Sequence, residues 1–441
     1  MSIQQETEVL VVGGGQAGVA MSEHLTRAGV PHLVLERGRI AERWRTGRWD
    51  SLVMNGPAWH DRFPGMEHLD ADPDSFVPHE RVAEYFEAYA RKFDEPIVCG
   101  VEVTSVERDE GRPGFHVETT QGPVDARYVV AATGPFQVPS VPPIVPTNAP
   151  VHQMHSSDYR NPDELPAGGV LVVGSGSSGV QIADELHRSG RDVWLAVSDH
   201  ERMPRTYRGL DYCWWLGVLG IWEDPTAPKG RDVQHPALAV SGAYGGHTID
   251  FRELADSGIH LVGRVGGYED GAVRFEPGLL ETIERGDAGY LRLLDQADAF
   301  IERNGMDLPE EPEARAFGSM PAEVLDPVDQ LDLAAAGVTT IIWATGFHVD
   351  YSWIHLDIFD EQGRPVHDHG VSAEPGVYFL GLPWLSGKGS SFIWGVWHDA
   401  KYIADQIMIQ RNYVHYSDPA AHRATPGADA SNTSTERVAS R

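Results

Sequence analysis

Only two cysteines, Cys99 and Cys213, occur in the 441 residues. They are far apart and form no C-x-x-C, so the chain has no disulfide framework, no four-cysteine zinc site and no redox pair of the disulfide-reductase kind. Basic residues are also scarce: 35 Lys plus Arg face 65 Asp plus Glu, a formal charge of −30. Such a chain repels polyanions, which argues against nucleic-acid binding driven by counterion release. No run reaches the ~18–20 apolar residues of a membrane span. The nearest, Y-C-W-W-L-G-V-L-G-I-W at 212–222, reads as a buried or pocket-lining segment. No basic stretch precedes the first apolar run, so no secretory signal is expected. A reduced, soluble, cytoplasmic protein follows from these absences, with no membrane and no nucleic acid among its partners.

Apolar residues make up 41% and charged residues 23%, a globular balance in a chain long enough for two domains. Glycine is plentiful, at 47 residues, and part of it is used in two similar places. Val9-Leu10-Val11-Val12 runs directly into Gly13-Gly14-Gly15-Gln16-Ala17-Gly18. Helical spacing of Ala17, Met21 and Leu25 follows, then a Gly29/Pro31 stop and a second apolar run ending in Glu36. The pattern returns where residues 170–173 meet Gly174-Ser175-Gly176-Ser177-Ser178-Gly179, with a helix to Gly190 and a strand over 193–197. Each copy reads as a parallel β-α-β unit, so the fold class is α/β with two Rossmann-like dinucleotide-binding domains.

In a G-x-G-x-x-G turn the first glycine takes a backbone angle that side chains oppose, and the second lets a pyrophosphate approach. The third lets the helix pack on the strand, and the helix N-terminus then meets the negative charge. Both matches follow an apolar run and precede a helical pattern, the context the motif needs. Glu36 at its strand end suits the ribose hydroxyls of FAD or NAD. The second strand ends in Val197-Ser198, with Asp199, Arg202, Arg205 and Arg208 after it. A serine beside arginines suits the 2′-phosphate of NADPH, while Asp199 speaks for NADH.

An amphipathic helix is expected over 76–93, and a strand pair over 101–106 and 115–119. Residues 128–134 read as a buried strand ending in Ala132-Thr133-Gly134, matched later by Ala344-Thr345-Gly346. Residues 139–150 are a proline-rich linker. Residues 270–325 are acidic and helix-like, an insertion or lid. The expected domains are an FAD-binding domain over 1–165 and 326–412, an NADPH-binding domain over 166–325, and a disordered tail over 413–441. The sequon Asn432-Thr433-Ser434 in that tail carries no meaning for a cytoplasmic chain. His367-Asp368-His369 reads as a solvated turn, and no metal site is expected. Gly387-Lys388-Gly389-Ser390-Ser391 fails the phosphate-loop spacing.

The glycine turns, the paired Ala-Thr-Gly turns and several segments together resemble the class B flavin monooxygenases, flavoproteins with two dinucleotide-binding domains. The segments are W-x-x-G-R-W-D-S-L (44–52), M-H-S-S-D-Y-R (154–160), I-W-A-T-G-F (342–347), G-V-Y-F-L-G-L-P-W-L (376–385) and G-V-W-H-D-A (395–400). The family signature F-x-G-x-x-x-H-x-x-x-(W/Y) is half present: His155 and Tyr159 match, Ala149 and Val151 do not. The resemblance implies FAD at the first turn and NADPH at the second. Arg37, Trp44, Val103, Thr133, Gly134, Thr345, Gly346 and Ser391 are then further cofactor contacts, and His155 with Tyr159 forms a domain linker. It implies Asn55, in Met54-Asn55-Gly56-Pro57, as the catalytic asparagine. Ser390 and Ser391 would open a C-terminal helix facing the flavin, with Trp384, Trp394 and Trp397 walling a pocket. The implied reaction is reduction of the flavin by NADPH, addition of O2 at its C4a carbon, and oxygenation of a small organic substrate by the resulting peroxyflavin. The alternatives are an NADPH-dependent flavin oxidase or reductase without oxygen transfer, and a non-catalytic nucleotide-sensing partner of a transporter. A homodimer is among the assemblies open to the chain.

Overall fold

The computed structural model describes residues 4–225 and 237–417. In its first half, the apolar run becomes the strand Glu6–Val12, followed by the helix Gln16–Arg27 and the strand His32–Glu36. The helix buries Ala17, Val19, Ala20, Met21 and Leu25 against the sheet, and Gly29 ends it in the left-handed region at φ 63°. Strand Glu6–Val12 lies between His32–Glu36 and Val124–Ala131, parallel to both. Ile97–Cys99 extends the sheet on one side and Val377–Phe379 on the other, again in parallel. Fully buried strands such as Val9-Leu10-Val11 are continuous apolar runs because both faces of a parallel sheet are covered. The hairpin Val103–Arg108/Phe115–Thr119 is antiparallel and adds to Val124–Ala131.

A second, wholly parallel sheet has the spatial order His260–Val262, Val193–Ala196, Gly169–Val173, Val338–Trp343, His152–His155. The α/β class with two Rossmann-like sheets is therefore as the sequence indicated. The domain boundaries shift. His152–His155 and Val338–Trp343, expected in the first domain, hydrogen-bond within the second sheet. The chain re-enters the first core only from Tyr351, Ile354 and Ile358 onward.

Residues 270–325 are packed structure. Ala272–Phe275 pairs with Val265–Glu269 and Gln330–Asp332, and the helix Leu279–Asn304 buries Leu279, Ile283, Tyr290, Leu294 and Ile301 along one face. This helix covers the strand His200–Arg202: a Cβ at Gly286 would lie 2.5 Å from the His200 ring. The last helix runs from Ile393 to Ser417. It starts after Ser390 and Ser391, and it takes up residues 413–417 that composition had assigned to a tail. Residues 418–441, the sequon included, lie outside the described residues. Among the described residues, no helix is long and apolar enough to cross a membrane.

Candidate active site between two dinucleotide cradles

The first cradle is shaped by what a side chain would strike. Gly13 sits at φ 109°, where a Cβ would meet the Ala132 carbonyl oxygen at 2.7 Å, and a Cβ on Gly18 would meet the Gly13 carbonyl oxygen at 1.8 Å. At Gly15 a Cβ would meet nothing within 4 Å. The middle glycine thus faces open space while its neighbours are packed tight, the arrangement a pyrophosphate needs. Gly15 caps the helix Gln16–Arg27 without a side-chain hydrogen bond, so the first N–H groups remain for an anion. Glu36 accepts from Gly14 N–H at 2.7 Å and Gly38 N–H at 2.7 Å. A carboxylate has about four lone-pair sites, so ribose hydroxyls can still donate to it. Gln16 donates to the Ser391 carbonyl at 2.9 Å and accepts from Trp44 Nε1 at 3.3 Å, which brings 16, 44 and 391 to one place. Thr133 and Gly134 form the adjoining turn, which Gln137 ties together from both. These residues fit a flavin dinucleotide. Arg37 lies exposed near Glu102 at 3.8 Å. Val103 is a core residue; it is Val101 whose N–H donates to the Glu36 carbonyl, at 3.0 Å.

The second cradle repeats this backbone. Gly174 has φ 112° with a Cβ clash at 2.5 Å on the Ala344 carbonyl oxygen, and Gly179 clashes with the Gly174 carbonyl oxygen at 1.8 Å. Gly176 caps the helix Ser177–Arg188 without a side-chain bond, leaving the N–H groups at Ser177 and Ser178 available. The Ser177 hydroxyl is engaged by the Leu238 carbonyl at 2.7 Å, and Ser175 is buried against Ser198. Thr345 is bonded to the Ser140 carbonyl. Gly346 is at φ 79°, and its carbonyl accepts from His155.

The arginines expected at the 2′-phosphate are elsewhere. Arg202 is buried between Asp250 at 2.6 Å and Asp287 at 2.5 Å, a cluster that Arg252 completes. Arg205 is buried against Asp211 at 2.6 Å. A guanidinium already neutralised in a buried pair has no reason to leave it for a ligand. At the strand end itself, exposed Asp199 pairs with Arg285 of the long helix at 2.6 Å. A cleft of about 500 Å³ runs from there past Arg292 to Lys388.

Arg205 has a different role. Its Nη1 donates to the Asn55 carbonyl at 2.7 Å, while Gln181 Nε2 donates to Asn55 Oδ1 at 2.8 Å. Gly242 lies so close that a Cβ there would stand 2.0 Å from the Met54 carbonyl oxygen. Three parts of the second unit thus hold the Asn55 turn of the first. From below, Asp61 accepts from Gly56 N–H at 3.2 Å and from His60 at 2.7 Å. His60 in turn stacks between Trp222 and Trp394, at 5.6 and 6.1 Å between ring centres. The Trp397 Nε1 donates to buried Glu23 at 2.6 Å.

The linker residues are bonded across the units as well. Ser157 N–H donates to His155 Nδ1 at 3.1 Å, so the proton is on Nε2, which donates to the Gly346 carbonyl at 2.9 Å. Burial lowers the His155 pKa, keeping the ring neutral. Tyr159 donates to Glu185 at 2.8 Å, which also accepts from Ser51 of the first unit at 2.6 Å. Sequence reasoning missed Gln181, Asp61 and Arg48. Arg48 lies 5.2 Å from the Trp44 ring centre and 4.9 Å from that of Phe136, and burial lowers its pKa to about 10. No carboxylate pairs with it among the described residues; its Nη1 donates to the Gly47 carbonyl at 3.2 Å. Its one signal was its place in the Trp44–Leu52 motif.

Two glycine cradles on two Rossmann sheets, bridged at the Asn55 turn and again through Glu185, define a dinucleotide-dependent oxidoreductase. The family model of pyridine nucleotide-disulphide oxidoreductases matches residues 10–210. A CzcO-like oxidoreductase of Geobacillus kaustophilus is 33% identical over 411 residues, covering 92% of this chain and 99% of that relative. The chain belongs to this CzcO-like oxidoreductase family. Indole-3-pyruvate monooxygenase YUCCA4 of Oryza sativa subsp. japonica is 31% identical over 219 residues, 46% of this chain and 50% of that one. A solved flavin-containing monooxygenase from Stenotrophomonas maltophilia shares the fold, with TM-score 0.63, 19% identity, and coverage of 92% of this chain and 100% of that one. The resemblance to class B flavin monooxygenases is borne out in the fold, with sequence likeness to YUCCA4 over about half of each chain.

Proposed function

We propose that the protein is an NADPH-dependent flavin monooxygenase that oxygenates a small organic molecule, with FAD in the first cradle and the nicotinamide coenzyme in the second. The observation that carries this reading is the Asn55 turn: it lies on the first unit and is held by Gln181 and Arg205 of the second. An asparagine held by both units is suited to the point where two cofactors meet. When bound, the flavin supplies hydride acceptance and O2 activation. The chain's own residues bind and orient. Glu36 and the Gly15 cradle hold one dinucleotide, Gly176 with the Ser177 and Ser178 N–H groups hold the other, and Arg48 faces an anion beside Trp44. His60, Trp222 and Trp394 form an aromatic wall that keeps water from one side of the turn.

The two cysteines speak against the disulfide-reductase reading. Cys99 is exposed on the first unit, Cys213 is buried in the second, and both are free. Burial raises the pKa of both thiols, the opposite of what a redox nucleophile needs. A flavin oxidase without oxygen transfer is the second reading, favoured by Ala149 and Val151 at the signature positions, half-buried against the second unit's core. The test is stopped-flow spectroscopy of the purified flavoprotein, reduced with NADPH and then mixed with O2. A spectral transient distinct from reduced and oxidised flavin, shortened in Asn55→Ala, supports a monooxygenase acting on a small molecule. Direct reoxidation with stoichiometric hydrogen peroxide supports the oxidase. Gel filtration with light scattering decides between monomer and homodimer.

A further inference from the structure

Gln181 is buried one turn into the helix Ser177–Arg188. Its Nε2 donates twice, to the Val240 carbonyl at 2.9 Å and to Asn55 Oδ1 at 2.8 Å. A backbone carbonyl can only accept, so the amino end of Gln181 must face Val240; the flipped amide would set oxygen against oxygen. That choice decides the next one. Both Nε2 hydrogens are used, so Asn55 must present its oxygen to Gln181 and turn its Nδ2 the other way. Among the described residues that Nδ2 has no partner. The Asn55 backbone is fixed independently by Arg205, which is held by Asp211 at 2.6 Å and lies 4.7 Å from the Phe76 and 4.6 Å from the Tyr212 ring centres.

We propose that Gln181 is a positioning residue: anchored on the Val240 carbonyl, it orients the Asn55 amide so that an N–H donor, never a carbonyl oxygen, faces the reacting centre. The inference rests on the flavin and nicotinamide reading above. It specifies the ligand chemistry at Asn55 as a hydrogen-bond-accepting oxygen. Two sources carry such an oxygen, the carboxamide of the nicotinamide and an oxygen held at the flavin. Without Gln181 the asparagine amide is free to flip, and the donor faces the centre only part of the time.

The experiment uses the full-length flavoprotein as Gln181→Met and Gln181→Glu, each alone and combined with Asn55→Ala. Two substitutions guard against one failing to fold, and flavin content with melting temperature establishes folding. Two quantities are read: the Kd of NADP+ on the oxidised protein, from flavin difference spectra, and the lifetime of the transient after O2 mixing. About a tenfold change in one of them is expected, the size of one lost hydrogen bond. A weakened NADP+ Kd assigns the acceptor to the nicotinamide, and a shortened transient assigns it to the flavin side. In the Asn55→Ala background the same Gln181 substitutions should change that quantity less than about twofold, because partners acting as a unit are not additive. Gln181 variants that leave both quantities unmoved, or that change them equally in both backgrounds, overturn the proposal while leaving the flavoenzyme reading intact. A wild-type protein that takes up neither flavin nor NADP+ overturns the reading itself, and the proposal with it.

Discussion

At the first glycine turn a side chain from the strand end reaches back to the loop, where Glu36 accepts from the Gly14 N–H at 2.7 Å. At the second, the link runs the other way. The loop side chain Ser175 accepts from the Ser198 N–H at 2.9 Å and donates to the Ser198 carbonyl at 2.9 Å. The backbones otherwise agree, down to the 1.8 Å approach behind each third glycine. One substitution pattern explains the reversal. A Cβ at Gly14 would stand 2.8 Å from the Glu36 Cβ, so the first loop has room for the carboxylate only because its own residue has no side chain. The second loop carries a serine, and the acid nearest its strand end, Asp199, is already paired with Arg285 at 2.6 Å. The same fold thus offers one dinucleotide an acid and the other a neutral floor.

The comparison breaks most severely at the third glycines. Gly18→Ala and Gly179→Ala each force a methyl onto a carbonyl oxygen, with an expected cost upwards of ~3 kcal/mol. Gly18→Ala should yield protein without flavin. Gly179→Ala, where it folds, should retain flavin that NADPH no longer bleaches, as absorbance titration would show. A Gly179→Ala protein reduced at the wild-type rate would remove the second turn from coenzyme binding.

Arg202→Met comes next. It leaves Asp250 and Asp287 with Arg252 alone, and breaking a buried pair costs about 3–5 kcal/mol. Urea denaturation should show that loss, while the ratio of NADPH to NADH affinity in the folded protein stays unchanged. A selective loss of NADPH binding would return Arg202 to the 2′-phosphate.

Glu36→Gln sharpens the contrast between the two floors. It removes a charged acceptor from two N–H groups and from the ribose, worth about 1.5–3 kcal/mol, so flavin affinity should fall roughly tenfold or more by apoprotein titration. Ser198→Ala leaves the Ser175–Ser198 backbone link intact and should change coenzyme affinity less than about twofold.

The smallest effect concerns pH. Burial and the neighbouring Glu23 carboxylate push the Glu95 pKa up to about 9, above its unfolded value. The folded state therefore holds a proton that the unfolded state releases, and this contribution weakens as pH rises from the ordinary glutamate range to about 9. Glu95→Gln should stabilise the first unit at pH 8 and have little effect at pH 4, as melting curves at the two pH values would show. An equal effect at both would mean that folding leaves the Glu95 pKa unchanged.

Much of this molecule could be read from the chain because the relevant physics is local. A glycine forced into φ 109° at Gly13 or 112° at Gly174, an apolar run before it and an apolar stripe after it lie within about two dozen residues. They determine strand, turn and helix whatever surrounds them. Glu36 at its strand end was legible in the same way, whereas His155, Tyr159 and Asn55 stood out only through the family resemblance. Pairing across long separations was not. Val338–Trp343 has the composition of any buried strand, and only sheet formation placed it beside Gly169–Val173. Gln16 meets Ser391 because the last helix packs back on the first unit. Arg202 and Arg205 stand where a phosphate-binding arginine is expected, but a guanidinium goes to the nearest buried carboxylate, and Asp250, Asp287 and Asp211 became near only on folding. The sequence by itself determined the two cradles and their order. Tertiary structure decided which polar groups were left free between them, because a hydrogen bond made in the core uses up the donor or acceptor that a ligand would need.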